Sequence, residues 1–348
     1  MKPQRADTNS PHSVWLLIDS LTYGGIETHV LELAKGLQAH QVATTVVFVA
    51  HYQTTPLLQT KLEHNGIPHF YLDQSFPARS ALHSLKLAID THKPALVHAH
   101  GYKASLYSRL IKYVSKSRFT QVSTYHAGET PKGKVWLYDF IDRYSASFSD
   151  ACLAVSALIQ NKLPSRSYMV NNFVSLDDNH QQHGEQIAFV GRLSHEKAPD
   201  RFMDLALKFP SQTFHCYGSG PMVAQLEQNK SDNLILEGHQ NDMNQVWAKI
   251  GLLVISSRYE GLPMAALEAM ARGIPVIAMN VGQLPTLISH QNNGYLADSP
   301  QSLEQSLNDW LASSPTQQAH MRSLAKQTVE QQYSPQSVIP QLLSIYQI

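Results

Sequence analysis

Two carboxylates, Glu260 and Glu268, stand eight residues apart in the string Ser257-Arg258-Tyr259-Glu260-Gly261-Leu262-Pro263-Met264-Ala265-Ala266-Leu267-Glu268-Ala269-Met270-Ala271-Arg272-Gly273. At helical rise that separation is roughly 12 Å. It suits two hydrogen-bond acceptors at opposite ends of an extended ligand with phosphates between them. It is long for a hydrolase pair, whose carboxyls sit about 5–9.5 Å apart. Spacing alone equally allows a surface glutamate and an ordinary helix glutamate. The amides of Gly261, Leu262 and Met264 are placed to leave a helix N-terminus, an end that attracts phosphate through unpaired N–H groups and the helix dipole. Upstream, Gly191-Arg192-Leu193-Ser194-His195-Glu196-Lys197 offers two cations beside a glycine. Arginine grips phosphate oxygens as a planar fork and lysine as a point charge.

The elements that must hold these groups alternate. Leu252 to Ser257 is a short apolar run that reads as a buried parallel strand. Met264 to Arg272 is rich in helix formers, with Pro263 in the first turn and Gly273 at C′. Before them, Val14 to Asp19, Val42 to Val49, Ile67 to Leu72, Ala95 to Ala99, Gln121 to Tyr125 and Cys152 to Val155 read as strands. Helical patterns from Ile26 to Leu37, Leu57 to His64, Ala81 to Asp90, Leu106 to Val114 and Val135 to Tyr144 lie between them. Residues 173–185 are polar and read as a linker. A second series of strands and helices begins at Ile187 and ends in helical stretches from Gln301 to Tyr333 and Ser337 to Tyr346. Such alternation implies two doubly wound α/β domains, 1–172 and 186–333, with 334–348 expected to pack on the first. Ligands in such sheets bind beyond the carboxyl ends of the strands, and every motif named here follows a predicted strand.

Further candidates share that position. Gly24-Gly25 separates the first strand from the first helix; it is not G-x-G-x-x-G, so it speaks weakly for a dinucleotide but suits a phosphate at a helix N-terminus. His98-Ala99-His100-Gly101 and Tyr125-His126-Ala127-Gly128 each end a strand. His98 and His100 share a strand face, but no third ligand stands at metal-site spacing, so no metal is expected. Gly218-Ser219-Gly220-Pro221 and Gly238-His239 are turn-like and follow strands of the second series.

Composition narrows the classes. The chain has 348 residues, 43% of them hydrophobic, and a formal net charge of zero, which argues against disorder and against a nucleic-acid binder. Residues 1–184 carry 17 basic and 13 acidic side chains, and residues 185–348 carry 10 and 14. The two cysteines, Cys152 and Cys216, read as buried free thiols of a reducing compartment. The polar first dozen residues lack the apolar core of a signal peptide, so a cytoplasmic location is expected. Seven basic residues (Lys103, Arg109, Lys112, Lys116, Arg118, Lys132, Lys134) and one acidic, Glu129, lie between Gly101 and Lys134, several beside Leu106, Leu110 and Ile111. They read as a solvated face or as a basic, amphipathic face for peripheral contact with an anionic membrane.

The string E-G-L-P-M-x-x-L-E-A-M-A-x-G-x-P-V resembles the E-x7-E signature of family-four retaining glycosyltransferases, enzymes of the GT-B fold. Gly191 to Lys197 resembles the G-R-x4-K motif of the same family, Gly24 to Glu27 its G-G-x-E loop, and Gly218 to Pro221 its G-x-G-P loop. The resemblance implies two Rossmann-like domains facing a cleft, a last helix crossing back onto the first domain, and sugar transfer from a nucleoside-diphosphate sugar with neither cofactor nor metal. It implies that Arg192 and Lys197 hold the donor diphosphate, that Glu260 and His126 contact the sugar, and that Glu268 meets the ribose. Gly24, Gly25, Gly218, Gly220, His239, Gly261, Leu262, Pro263 and Met264 would line the donor. His100 is an acceptor-side or structural candidate, and the acceptor would be a glycan or lipid-linked glycan of surface polysaccharide or lipopolysaccharide. Two departures stand out. Gly282-Gln283-Leu284-Pro285-Thr286 lacks a glycine and a carboxylate of the family's G-G-x-P-E, and Ala198 replaces the usual glycine after the lysine. A same-fold sugar-nucleotide epimerase and a non-catalytic sugar-nucleotide-binding module are the alternatives.

Overall fold

The computed structural model describes residues 13–19, 24–51, 57–126, 134–175, 184–240 and 242–347. The chain divides into two units, Met1–Asn172 with Pro335–Ile348, and Phe173–Ser334. Each is a parallel sheet covered by helices.

In the first unit the strands are β1 (Val14–Ile18), β2 (Thr44–Phe48), β3 (His69–Tyr71), β4 (Leu96–His100), β5 (Thr120–Tyr125), β6 (Ala151–Ala154) and β7 (Tyr168–Met169). Their order is β3-β2-β1-β4-β5-β6-β7, all parallel. β1 and β4 are buried on both faces because helices cover both, which is why β1 reads as a continuous apolar run, while β4, Leu-Val-His-Ala-His, carries two buried histidines. The register pairs His100 with Thr124, so His126 lies just beyond the end of β5 and close to the end of β4. The last helix, Pro335–Tyr346, belongs to this unit and packs on the helix Gly25–Ala39. Its Tyr346 hydroxyl lies 2.6 Å from His98 Nδ1. The return of the chain end expected from the resemblance is therefore present.

The second unit holds β8 (Gln186–Val190), β9 (Phe214–Tyr217), β10 (Leu234–Gly238), β11 (Ile250–Ile255), β12 (Val276–Met279) and β13 (Gly294–Ala297), ordered β10-β9-β8-β11-β12-β13 and parallel throughout. β8 and β11 are adjacent at the centre, so the loops after them, carrying Lys197 and Glu260, emerge side by side. The helix Met264–Ala271 sits in the apolar core with Leu267, Ala269 and Met270. It ends in a Schellman motif: Gly273, at φ 68°, donates to the Met270 carbonyl, and Ile274 to that of Ala269. Pro263 takes the N-cap position with ψ 129°, one residue earlier than the first turn where the sequence reading put it.

Residues 176–183 of the expected linker lie outside the described residues. Phe173 and Val174 are buried, and Val174 packs in the core of the second unit. The stretch from 301 to 333, read from sequence as one helix, is two: Pro300–Ala312 and Pro315–Gln332. Ser314 caps the second by accepting from the Gln317 amide, and Pro315 opens it, so the chain turns where proline cannot continue the first helix. Both cysteines are buried and free.

Candidate active site

In the second unit, β8 delivers a loop whose Gly191 amide bonds to the Tyr217 carbonyl, while Leu193 donates to Ser219. These bonds press the 191–193 strand end against the glycine loop after β9. Gly218 has φ +140°, and a Cβ there would stand 1.8 Å from the Gly191 carbonyl oxygen; one on Gly220 would stand 2.4 Å from that of Leu193. Only glycine fits this seam. Lys197 then reaches across to β11's loop, its Nζ 2.8 Å from Glu260 Oε1 and 2.7 Å from Oε2. The Ser257 hydroxyl donates to Glu260 Oε1 at 2.6 Å. The two loops are also joined through backbone, Arg258 N–H to the Glu196 carbonyl, and through Arg258 to Asp200, an ion pair with contacts of 2.9 and 2.5 Å. Hydrogen bonds and the opposed charge help hold the Asp200 carboxyl below the usual range, against its partial burial.

Arg192 is exposed, and its charge reaches Glu196. Glu196 is held below the ordinary carboxylate range: partial burial pushes it up, but the Ser194 hydroxyl and the charges of Arg192 and Lys197 outweigh this. Gly261 is half-buried, and Leu262, Pro263 and Met264 are buried at the start of the Met264–Ala271 helix, whose first N–H groups lack intrahelical partners. One turn and more along, Glu268 accepts from the Trp247 indole at 3.0 Å. Gly238, at φ 69°, and the exposed His239 close β10. The geometry thus gathers Lys197 and Glu260 into one contact, places Glu268 further along the same loop–helix segment, and leaves Arg192 and His239 at the surface.

Sequence reasoning passed over one partner of this segment. Gly282, in the string where the family pattern fails, has φ 61°, and a Cβ on it would stand 2.2 Å from the Glu260 carbonyl oxygen. The next residue, Gln283, donates its amide to the Gly261 carbonyl at 2.9 Å. This loop therefore seats the Glu260 turn from beneath. Ala198 adopts the left-handed conformation, φ 53°, and is fully buried, so the replacement of glycine leaves the backbone shape in place at a steric cost.

In the first unit, Gly24 caps the helix Gly25–Ala39, and its own amide is held at 2.7 Å by Glu27 Oε2. The Glu27 carboxylate folds back on the helix N-terminus, and because glycine has no side chain to return the bond, this is half of a capping box. His100 is buried at the end of β4 and His126 half-buried beyond β5, with His100 Nδ1 3.1 Å from His126 Nε2. His98, by contrast, is fixed between Tyr346 and the Thr124 hydroxyl, each at 2.6 Å. A third histidine joins the other two: a ring nitrogen of His29, from the helix Gly25–Ala39, lies within 4.8 Å of one from His100 and one from His126. The His98–His100 pair named from sequence is not the group, since His98 is not a member. The cluster is His29, His100 and His126, and its third member stands 71 positions before His100, where no ligand spacing could signal it. Burial lowers all these rings; His29 falls to about 4 despite a hydrogen bond with Asn172, and His98, His100 and His126 fall well below their ordinary value, neighbouring histidines adding to the effect.

The basic face is also revised. Arg109 is not on it: the guanidinium is buried, donating to Asp142, Ser145, Ser149, Ser123 and the Tyr125 hydroxyl. Lys103 pairs with Asp19 and Lys112 with Asp150. Lys116 and Arg118 are exposed; Lys132 and the Lys134 side chain lie outside the described residues. What the face does show is apolar. On the helix Lys134–Tyr144, Trp136, Leu137, Tyr138, Phe140, Ile141 and Tyr144 are each exposed by 40% or more, next in sequence to exposed Phe148. Leu110, Tyr113 and Val114 of the helix Tyr102–Val114 are exposed too, with Tyr113 edge-on to Phe148.

Comparison with known proteins agrees with this architecture. The family model "Glycosyl transferases group 1" matches residues 184–313, and "Glycosyltransferase Family 4" matches residues 23–173. An uncharacterized glycosyltransferase of Methanocaldococcus jannaschii is 25% identical over 305 residues, covering 81% of this chain and 84% of its own. The O-antigen biosynthesis glycosyltransferase WbnH of Escherichia coli is 25% identical, covering 62% and 67%. Among solved structures, Anabaena HepE in complex with UDP-glucose superposes with a TM-score of 0.80 at 19% identity over 95% of this chain and 98% of its own. Staphylococcus aureus TarM does so with 0.81 at 12% identity over 99% and 100%.

Proposed function

The chain belongs to the glycosyltransferases of the GT-B fold, and on that footing we propose that it moves a sugar from a nucleoside-diphosphate sugar, of the UDP class, to a glycan or lipid-linked acceptor in surface polysaccharide or lipopolysaccharide synthesis. The transfer retains anomeric configuration and uses no metal in the chemical step. The observation that carries this reading is the contact of Lys197 with both oxygens of Glu260 at the mouth of the second unit's sheet. An ammonium has three donors; two engage Glu260, and the third remains for a phosphate oxygen. Glu260 therefore aims the cation while keeping its own carboxylate beside the position of the sugar. Charge grows on the leaving diphosphate, and Lys197, Arg192 and the first turn of the Met264–Ala271 helix offset it with groups fixed before the reaction starts. Glu268, oriented by Trp247, serves the ribose hydroxyls, and His126 serves the sugar. The roles of Gly24, Gly25, Gly218, Gly220 and His239 at the donor follow the same family pattern. The donor class is supported by a relative whose name specifies UDP-Gal and by solved HepE complexes holding UDP or UDP-glucose, and the acceptor class by relatives named for O-antigen and poly(ribitol-phosphate) glycosylation.

The test is donor-dependent transfer by purified protein, after a thermal-shift screen of UDP-, GDP- and ADP-sugars. Lys197→Ala and Glu260→Ala are expected to lower kcat/KM by about 10²–10³-fold, the scale of losing one preorganised charge-stabilising group. NMR of the new linkage reads its configuration, and turnover should survive EDTA. Full turnover in both variants would end this assignment.

Access to a lipid-linked acceptor is supported by the exposed side chains of Trp136, Phe140, Ile141 and Tyr144 with Lys116 and Arg118 exposed in the same unit. Among the described residues no helix is long and apolar enough to cross a membrane; the contact proposed is peripheral. Vesicles with anionic lipid should pull the protein down, and Trp136→Ser with Phe140→Ser should release it. Binding that disappears in moderate salt and ignores these substitutions would show charge alone at work.

A further inference from the structure

We propose that His29, His100 and His126 form a binding site for a divalent transition metal of the zinc class, and that the metal competes with the sugar for His126. Three imidazoles from three separate elements converge: His29 from the helix Gly25–Ala39, His100 from the end of β4, His126 from just beyond β5. Zinc lies about 2.0–2.1 Å from each imidazole nitrogen, which sets two tetrahedral ligands roughly 3.3 Å apart. His100 Nδ1 and His126 Nε2 are already 3.1 Å apart. No separation within the set exceeds 4.8 Å.

Two further features fit an ion there. His100 Nε2 is buried and has no hydrogen-bond partner among the described residues, an arrangement that native interiors generally avoid. Ligation through Nε2 would satisfy this nitrogen; ligation through Nδ1, the atom 3.1 Å from His126 Nε2, leaves it as an unpartnered N–H. The ring itself packs against His98, whose centroid is 4.2 Å away and whose two nitrogens are fixed by Tyr346 and Thr124. Finally, the set holds nitrogen alone, with neither thiolate nor carboxylate, which favours zinc, nickel or copper over magnesium or calcium. Three protein ligands leave a fourth position for water. Half-buried His126 gives the ion a way in.

The competition follows from the role of His126 at the sugar and so rests on the proposed function: a ring ligating zinc cannot hydrogen-bond a hydroxyl through the same nitrogen. Zinc should therefore inhibit transfer reversibly, in keeping with a chemical step that uses no metal.

The full chain, stripped with EDTA and dialysed, would be titrated with Zn(II) against a chromophoric chelator, with Co(II) as a spectroscopic probe. One equivalent should bind tightly, and cobalt should give the visible band of a tetrahedral site. His29→Asn and His100→Gln should weaken it by more than the roughly 10–100-fold that altering an outer-shell partner costs, while His320→Ala, an exposed histidine elsewhere, should not. Circular dichroism melts check that the variants fold. X-ray absorption of the zinc-loaded wild type needs no variant and should count three imidazoles. Absence of a stoichiometric site, or equal affinity in the His29 and His100 variants, overturns the site. These readings use neither donor nor acceptor, so they stand apart from whether transfer occurs. Zinc bound at the site with transfer undiminished overturns the competition.

Discussion

At the scale of single residues, chemistry and support are separable. Lys197 and Glu260 carry the charge, but Gly282 fixes where Glu260 sits, because its α-carbon packs where a methyl would stand 2.2 Å from the Glu260 carbonyl and 2.6 Å from that of Gly261. Gly282→Ala must both bear an alanine at φ 61° and push the Glu260 turn away. Gly66 has nearly the same φ, 64°, with nothing within 4 Å of a Cβ. Gly66→Ala therefore isolates the conformational cost, about 1–2 kcal/mol. The pair makes a measurement: both variants should lose that much stability in urea, and only Gly282→Ala should also lose donor affinity and turnover, by about tenfold or more, as expected for a misplacement of some ångströms. Equal activity in the two would show that the 282–283 loop does not seat the site. Arg109 teaches the same caution in reverse. Counted by type it is a surface cation, yet it is buried against Asp142, and a buried guanidinium organises the interior rather than attracting a membrane.

At the scale of elements, much of the fold was readable because parallel strands buried on both faces are apolar throughout, as Val14–Ile18 and Ile250–Ile255 are. The loop–helix from Glu260 to Gly273 was readable in detail, since its proline, its helix formers and its terminal glycine each have one local reason to be where they are. The boundary at 313–315 was missed although its signal was printed in the chain. Ser299-Pro300, Ser314-Pro315 and Ser334-Pro335 each place a serine before a proline, and each proline opens a helix; Ser299 and Ser314 cap theirs. β13, Gly294–Ala297, was missed for the opposite reason: four residues after an Asn-Asn turn leave no period to detect. The histidine cluster could not be read at all. His29 meets His100 and His126 only because strand order puts β1 beside β4 and β4 beside β5, and strand order is a property of packing that no local window contains.

At the scale of the whole molecule, the two units differ in how they hold their histidines, and this makes a prediction about acid. His29, His92, His98, His100 and His126 are all lowered by burial, and all lie in the first unit. In the unfolded chain each would take up its proton near 6.5. Between that value and the folded one, about 4 for His29, the unfolded state binds more protons than the native state. Stability therefore rises with pH through this window and is lost as pH falls from about 6.5 toward 4, by about 1.4 kcal/mol per pH unit for each such proton. Paired carboxylates act lower: Asp90, buried slightly but bound by Lys86, Ser115 and the Lys116 amide, is held down to about 2, so its share is lost only below the ordinary carboxylate range. The two contributions are thus separated on the pH axis. Asp142 is the exception among carboxylates, raised by burial to about 7 against the pull of Arg109, so on acidification it gains its proton in the folded state and offsets about one such histidine. Thermal melts from pH 7.5 to 4.5 should still show the midpoint falling before the ordinary carboxylates protonate, and hydrogen exchange should show amides of β1, β4 and β5 losing protection ahead of β8, β11 and β12. Saturating zinc should shift the acid limb to lower pH, since a ligated ring must shed its metal before it gains a proton. A midpoint that stays level down to pH 5, or protection lost first in the second unit, would mean that these buried rings are not what sets the acid limit.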